Sequence, residues 1–311
     1  MTESAIKTKI LAKTEVPTIE KWLRLLLWKM TIATLVLMAI GSATRVMNAG
    51  LACPDWPLCY GQLVPTAQMN LQVFLEWFHR LDASLIGLLA IALMGLAWWY
   101  RQQLPSWLPL GAFSAFLLIL FQGILGGLTV TELLRFDIVT AHLATALLFF
   151  CTLLTMAILL TPYQGTSAAH NLPWLSATAA IFVYLQSLLG ALVASRWALH
   201  QCLGNSQLCF VMNSHILGII PPTLLTLILT FKAWQTPGLH PLLRQLANLA
   251  SSLVILQIVL GIATFRLHLQ IEPLTVAHQT VGATLLGSLV AFTVLAIRDK
   301  AQNNKKITQL V

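Results

Sequence analysis

Long apolar runs, separated by short polar segments, occupy most of the chain. A bilayer core about 30 Å thick requires about 20 apolar residues in helical form. Eight runs of this length are present and predict eight membrane-spanning helices. Their approximate ranges are 22–44, 73–100, 107–127, 139–160, 175–194, 213–231, 245–265 and 274–297. The fourth and fifth lie in one tract without Asp, Glu, Lys or Arg, which the segment "TPYQGTSAAHNLP" divides.

The composition excludes an ordinary soluble domain. Of 311 residues, 58% are hydrophobic and 9% are charged, and the mean hydropathy is +0.80. The sequence therefore predicts an all-α membrane protein whose main partner is the lipid bilayer. The first run could alternatively be a signal peptide, because lysines precede it, but it is longer than a typical signal core.

The positive charges predict the orientation in the membrane. Cytoplasmic loops carry an excess of Lys and Arg. If the amino terminus is cytoplasmic, 13 of the 18 basic residues fall on that side and five on the other. Both termini are then cytoplasmic, and the net charge of +8 mainly reflects topology. Nothing indicates nucleic acid binding. Since no long presequence precedes the first run, we expect a multi-pass protein of a bacterial plasma membrane.

The chain contains an internal repeat. His79 and His142 are 63 residues apart, and so are His215 and His278. The segments "FQGILGGLT" and "LQIVLGIAT" also resemble each other, as do "TAHLATALL" and "VAHQTVGATLL". We expect two four-helix bundles, residues 1–165 and 166–311. Each has an even number of spans, so the copies run parallel.

The four repeated histidines are candidate metal ligands. Each lies near the start of an even-numbered span, at one depth on the extracytoplasmic side. A single histidine there could equally be interfacial, but four at matched spacing favour ligands. Zinc or copper sites usually need three or more converging donors. A di-iron site would need more carboxylates, and Met212 stands where the second unit would repeat Glu76. Two imidazoles in each unit suit the axial positions of a haem.

Haem propionates would require cations near the outer surface. Five arginines are available there, although each could equally be an interfacial residue whose long side chain reaches water. They are Arg45, Arg80, Arg135, Arg196 and Arg266.

Two cysteine pairs occupy equivalent outer loops. Cys53 and Cys59 lie in "ACPDWPLC", and Cys202 and Cys209 lie in "HQCLGNSQLC". Pairs that recur on the oxidising side of a membrane indicate two loop disulfides. Metal chelation is the alternative.

Together these motifs resemble haem A synthase, a membrane enzyme family of cytochrome oxidase biogenesis. The resemblance covers nearly the whole chain. It implies oxidation of the C8 methyl group of haem O to a formyl group by successive hydroxylations. It further implies that His215 and His278 bind a haem b cofactor, that His79 and His142 line the pocket for haem O, and that Glu76 is catalytic. A haem O synthase is a partner expected from the order of the pathway.

Glu76 also has a second interpretation from the residues alone. Only the first unit carries a carboxylate one helical turn before its histidine, which favours a catalytic role. An ion pair with Arg80, or stabilisation of the start of a helix, is the alternative. For the whole protein, a dihaem b-type electron-transfer cytochrome is the second candidate function. A transporter is the third, suggested by Pro221 and Pro222 within the sixth run.

Overall fold

The computed structural model describes residues 3–194, 207–267 and 271–308, and gives side-chain surroundings for 19–194, 210–267 and 271–301. Arg196, Cys202 and the side chain of Cys209 lie outside these ranges. The described chain is helical, with a 3₁₀ turn at Thr66–Gln68. The helices are α1 (Glu3–Val46), α2 (Leu71–Trp99), α3 (Leu108–Thr131), α4 (Phe136–Leu160), α5 (Leu172–Val193), α6 (Gln207–Leu217), α7 (Ile220–Gln235), α8 (Pro241–Arg266) and α9 (Glu272–Thr308).

The prediction of eight spans is confirmed by length and composition. Within the described ranges, eight helical stretches of 22–30 residues are apolar enough to cross a membrane. The first of them, Ile19–Val46, is the carboxyl-terminal part of α1, which packs against α2, α4 and α9. This stretch is therefore part of the helical assembly.

The sixth span is the one that is interrupted. It extends over Phe210–Gln235 but consists of α6 and α7, which meet at Gly218 and Ile219. Pro221 and Pro222 follow the break at the first positions of α7. Proline has no backbone N–H to donate to the preceding turn, so an unbroken helix is disfavoured here.

The helices of each half contact one another in a ring. Helix α1 contacts α2 and α4, and α3 contacts the same two helices. In the second half, α5 contacts α6, α7 and α9, while α8 contacts α7 and α9. The halves meet where α9 contacts α1 and α4 and where α4 contacts α5. This neighbour order is compatible with two four-helix bundles, and the division at residue 165 stays a prediction.

A buried carboxylate fixes the linker between α4 and α5. Asp299 on α9 is fully buried and accepts the backbone N–H groups of Thr166 and Ala169 at 2.6 and 3.0 Å. The neighbouring Arg298 donates to the carbonyl of Thr161 at 2.8 Å. Helix α9 therefore holds the segment that joins α4 to α5.

We expect the substitution Asp299→Ala to destabilise the protein by about 2–4 kcal/mol, because the buried N–H of Ala169 and the N–H of Thr166 lose their acceptor. The midpoint of thermal unfolding in detergent, followed by tryptophan fluorescence, should fall by about 3–6 °C. Asp299→Asn retains one oxygen acceptor, so its unfolding midpoint should fall less. The matched control is Lys300→Ala, since Lys300 is exposed. Equal midpoints for Asp299→Ala and Lys300→Ala would contradict the proposed anchoring.

Candidate functional site

The histidines of the second half face each other. His215 lies on α6 and His278 on α9, and their ring centres are 6.4 Å apart with the ring planes at 81°. A metal–imidazole nitrogen bond is about 2.0–2.1 Å long, so rings on opposite sides of one metal have centres roughly 6 Å apart. The distance between the ring centres would therefore allow His215 and His278 to hold one iron between them.

Gln186 on α5 holds His215 in place. Its side-chain amide nitrogen lies 3.0 Å from His215 Nδ1 and 2.5 Å from the carbonyl oxygen of the same residue. The break after α6 explains this contact, because the N–H of Ile219 bonds to Ile216 and leaves the His215 carbonyl available. The repeat gave no signal for Gln186, since its equivalent position in the first half is Leu37.

The partner of His215 has a different environment. The amide nitrogen of Gln257 on α8 lies 3.2 Å from His278 Nε2. His278 Nδ1 is buried without a hydrogen-bond partner. A buried polar atom without a partner is costly in a finished interior, so this ring still has bonding capacity for a ligand.

The first half places His79 on α2 and His142 on α4, as the repeat predicts. The Nδ1 atoms of both rings, and the side-chain oxygen of Gln122 on α3, are buried without hydrogen-bond partners. Three unsatisfied polar atoms thus lie on three neighbouring helices of the first half. This is the kind of interior that a polar or metal-containing ligand completes.

The loop between α1 and α2 is closed by a disulfide. Cys53 and Cys59 are bonded, which confirms the prediction for this pair. The pair Cys202 and Cys209 lies outside the described residues. Cys151, on α4, is a free thiol within the described chain.

Glu76 and Arg80 tie this loop to α2. Asn70 caps the helix by accepting the N–H of Val73, and Glu76 lies one turn further along. The Glu76 carboxylate is buried and accepts the N–H of Cys53 at 2.7 Å and a guanidinium N–H of Arg80 at 2.5 Å. The ion pair that the sequence offered as an alternative role for Glu76 is therefore present.

Arg80 is largely occupied by the loop. Besides Glu76, it donates to the carbonyl oxygens of Asp55 and Leu58 at 2.6 and 2.7 Å. The Asp55 carboxylate in turn accepts the N–H groups of Gly61 and Tyr60, and these bonds lower the pKa of Asp55 below its usual value. Sequence reasoning did not identify this network, because backbone carbonyls leave no residue-type signal.

The same loop reaches across to α3. The ring of Trp56 lies against Gly127, where a methyl group in place of the glycine hydrogen would be 3.2 Å from the ring. Trp77 donates its ring N–H to the carbonyl of Leu63 at 2.7 Å. The loop thus lies over the first turns of α2 and the last turns of α3, next to the first histidine pair.

The candidate arginines differ in their surroundings. Arg135 is exposed and pairs with Glu132 and Asp137, and the Asp137 carboxylate raises the pKa of Arg135 above its usual value. Arg266 is exposed at the end of α8. The side chain of Arg45, half-buried in the last turn of α1, makes no hydrogen bond or ion pair with the described residues. Arg45 and Arg266 are therefore the candidate arginines of the described chain whose side chains have no partner.

These features together fit a haem better than a bare metal ion. Within the described ranges, no three His, Cys, Asp or Glu side chains converge on one point. Each half contains one pair of imidazoles, and the rings of His79, His142 and His278 each have a buried nitrogen without a hydrogen-bond partner. A porphyrin supplies four equatorial nitrogens and needs two axial donors from the protein.

The sequence matches the COX15-CtaA family, described as cytochrome oxidase assembly protein, over residues 24–290. The chain belongs to this family. The match covers most of the chain and confirms the family to which the cysteine and histidine motifs pointed. Membership in the COX15-CtaA family agrees with the eight apolar helices of a multi-pass membrane protein.

Three relatives are similar over most of their length, and each is named Heme A synthase. The relative from Shewanella oneidensis is 30% identical over 310 residues, covering 83% of this chain and 91% of the relative. That from Erythrobacter litoralis is 27% identical, covering 84% and 93%. That from Shouchella clausii is 25% identical, covering 88% and 96%.

The oxidation state of the cysteines is directly testable. The chain has five cysteines. We expect one maleimide label per chain, on Cys151, when membranes are denatured in detergent without reductant, and five labels after reduction. Mass spectrometry of the labelled peptides makes the measurement. Three labels before reduction would show that Cys202 and Cys209 are free, and five would contradict both disulfides.

Proposed function

We propose that this protein is a haem A synthase, an oxidoreductase that converts the C8 methyl group of haem O into a formyl group. Two successive hydroxylations remove two electrons each, which pass to an oxidant from outside the chain, and the resulting geminal diol loses one water. The observation that carries the proposal is the set of four histidines in two matched pairs, on a chain whose relatives over nearly full length are named Heme A synthase.

We assign different roles to the two halves. Residues 166–311 bind a haem b cofactor through His215 and His278, and residues 1–165 bind haem O between His79 and His142. Haem b would supply one-electron transfer. Two contrasts support the division: Glu76 of the first half has Met212 as its counterpart, and Gln186 of the second half has Leu37.

Within the first half, Glu76 is the residue proposed to handle protons. Its carboxylate is buried at the outer end of α2, one turn before His79. The ion pair with Arg80 and the bond from Cys53 hold it in one orientation, as a positioned base requires. Arg45, which has no partner in the described chain, is the candidate contact for a propionate of haem O.

The proposed location is a bacterial plasma membrane, with both termini cytoplasmic and the haem sites toward the extracytoplasmic side. The distribution of Lys and Arg supports this orientation. A haem O synthase is the proposed source of the substrate, because haem O must be delivered to a membrane enzyme.

The experiment is expression in a bacterial strain that makes haem O but lacks its own haem A synthase. Chromatography of extracted haems should show haem A with this chain and none with an empty vector. Protein that carries haem b in the membrane while the extracts contain no haem A would overturn the proposal. That result would favour a dihaem electron-transfer cytochrome.

A further inference from the structure

Each of the four histidines touches a glycine on the helix that precedes it in the chain. We consider where a methyl group would lie if each glycine became alanine. In every pair the nearest atom is the Cε1 carbon of the imidazole. The pairs and distances are Gly41 with His79 at 2.8 Å, Gly190 with His215 at 3.0 Å, Gly261 with His278 at 3.1 Å and Gly126 with His142 at 3.4 Å.

The contact recurs although the connecting loops differ in length. Gly41 and His79 are 38 residues apart, while Gly190 and His215 are 25 apart. A loop of different length would allow a different alignment of the two helices. The same glycine–imidazole contact in both halves therefore indicates a requirement of the site.

Ordinary helix packing does not explain these glycines. In a helix interior, glycine is about 0.8–1.0 kcal/mol less favourable than alanine. Small residues in membrane helices usually allow two backbones to approach each other. Here the three nearest atoms at Gly41, Gly190 and Gly261 all belong to the imidazole, and at Gly126 the imidazole carbon is the sole neighbour within 4 Å.

We propose that Gly41, Gly126, Gly190 and Gly261 are positioning residues that set the ring orientation of the four histidines toward haem. The inference rests on the proposed function, since it takes haem as the ligand. Cε1 is bonded to both ring nitrogens, so a methyl group that displaces this carbon also moves the nitrogen that would bind iron. The glycines act through the histidines and do not themselves touch the ligand.

The distances predict a graded series. A contact below 3.0 Å must be relieved by movement, one of 3.0–3.4 Å forces a shift of a few tenths of an ångström, and one of 3.4 Å is ordinary contact. The imidazole should therefore be displaced most by alanine at position 41, less by alanine at 190 or 261, and least by alanine at 126. Gly95 on α2 and Gly123 on α3 have nothing within 4 Å and provide matched controls.

The principal test measures haem retention by purified protein. The rate of haem b transfer to excess apomyoglobin should rise on the order of 10–100-fold in Gly190→Ala and Gly261→Ala, the usual effect of disturbing a ligand's support. The low-spin electron paramagnetic resonance signal should shift in the same variants. Gly95→Ala and Gly123→Ala should match the wild type. Wild-type transfer rates in both Gly190→Ala and Gly261→Ala would overturn the inference.

A double-mutant cycle of unfolding midpoints covers the case in which a variant is too unstable for haem analysis. Gly190→Ala should lower the unfolding midpoint of the wild type but not that of His215→Ala, because the clashing ring is then absent. An equal drop in both backgrounds would overturn the inference. The proposed function fails separately, through absence of haem A or retention of haem b by His215→Ala.

Discussion

Replacement of Glu76 by glutamine is expected to lower haem A formation by about 100-fold or more, the usual contribution of a positioned acid or base. Glutamine keeps the size of the side chain and an oxygen that accepts the N–H of Cys53, but it cannot take up a proton. Haem b content should be unchanged, because His215 and His278 lie in the other half. Chromatography of extracted haems, normalised to enzyme, should show haem O or a hydroxylated intermediate in place of haem A.

The control for this experiment is Arg80→Gln. Arg80 holds the carbonyl oxygens of Asp55 and Leu58, so its loss should loosen the loop and lower the unfolding midpoint. Glu76→Gln should lose more turnover than Arg80→Gln and less stability. Near-normal haem A from Glu76→Gln would leave its carboxylate with a structural role. If the unfolding midpoint of Glu76→Gln fell as far as that of Arg80→Gln, this would also indicate a structural role for the Glu76 carboxylate.

Replacement of His215 or His278 by alanine is expected to remove low-spin haem b from the purified protein. An axial ligand is lost in each variant, and the remaining imidazole cannot maintain six-coordinate iron. His79→Ala should retain most of the haem b, because its ring lies in the first half. The pyridine haemochrome spectrum gives the haem content, and the absorbance spectrum of the reduced protein gives the spin state.

The comparison of variants also tests the division of roles. If His79→Ala and His215→Ala lose haem b to the same extent, the assignment of cofactor and substrate sites to separate halves is wrong. If His79→Ala alone loses it, the assignment is reversed.

The sequence was sufficient to predict the helices because the bilayer sets both their length and their polarity. The third run, expected at 107–127, is the helix Leu108–Thr131, and the other spans agree to within a few residues. The Cys53–Cys59 bond was equally predictable, because two cysteines in one short loop have few other partners.

Features that depend on backbone geometry were not predictable in the same way. Pro221 and Pro222 indicated a helix breaker, but the hydropathy of the segment does not show whether α6 and α7 are continuous. Arg80 was one of five candidates for a propionate contact and the alternative ion-pair partner of Glu76, but most of its partners are carbonyl groups of the folded loop. Gln186 was missed because its role arises only where α6 ends.

Thr166 leaves the ribosome well before Asp299, because 133 residues separate the two. At about 5–20 residues per second, this interval is on the order of 10 s. During this interval, the N–H groups of Thr166 and Ala169 do not yet have the Asp299 carboxylate as their hydrogen-bond acceptor. The connection between α4 and α5 is therefore completed only after Asp299 of α9 has been synthesised.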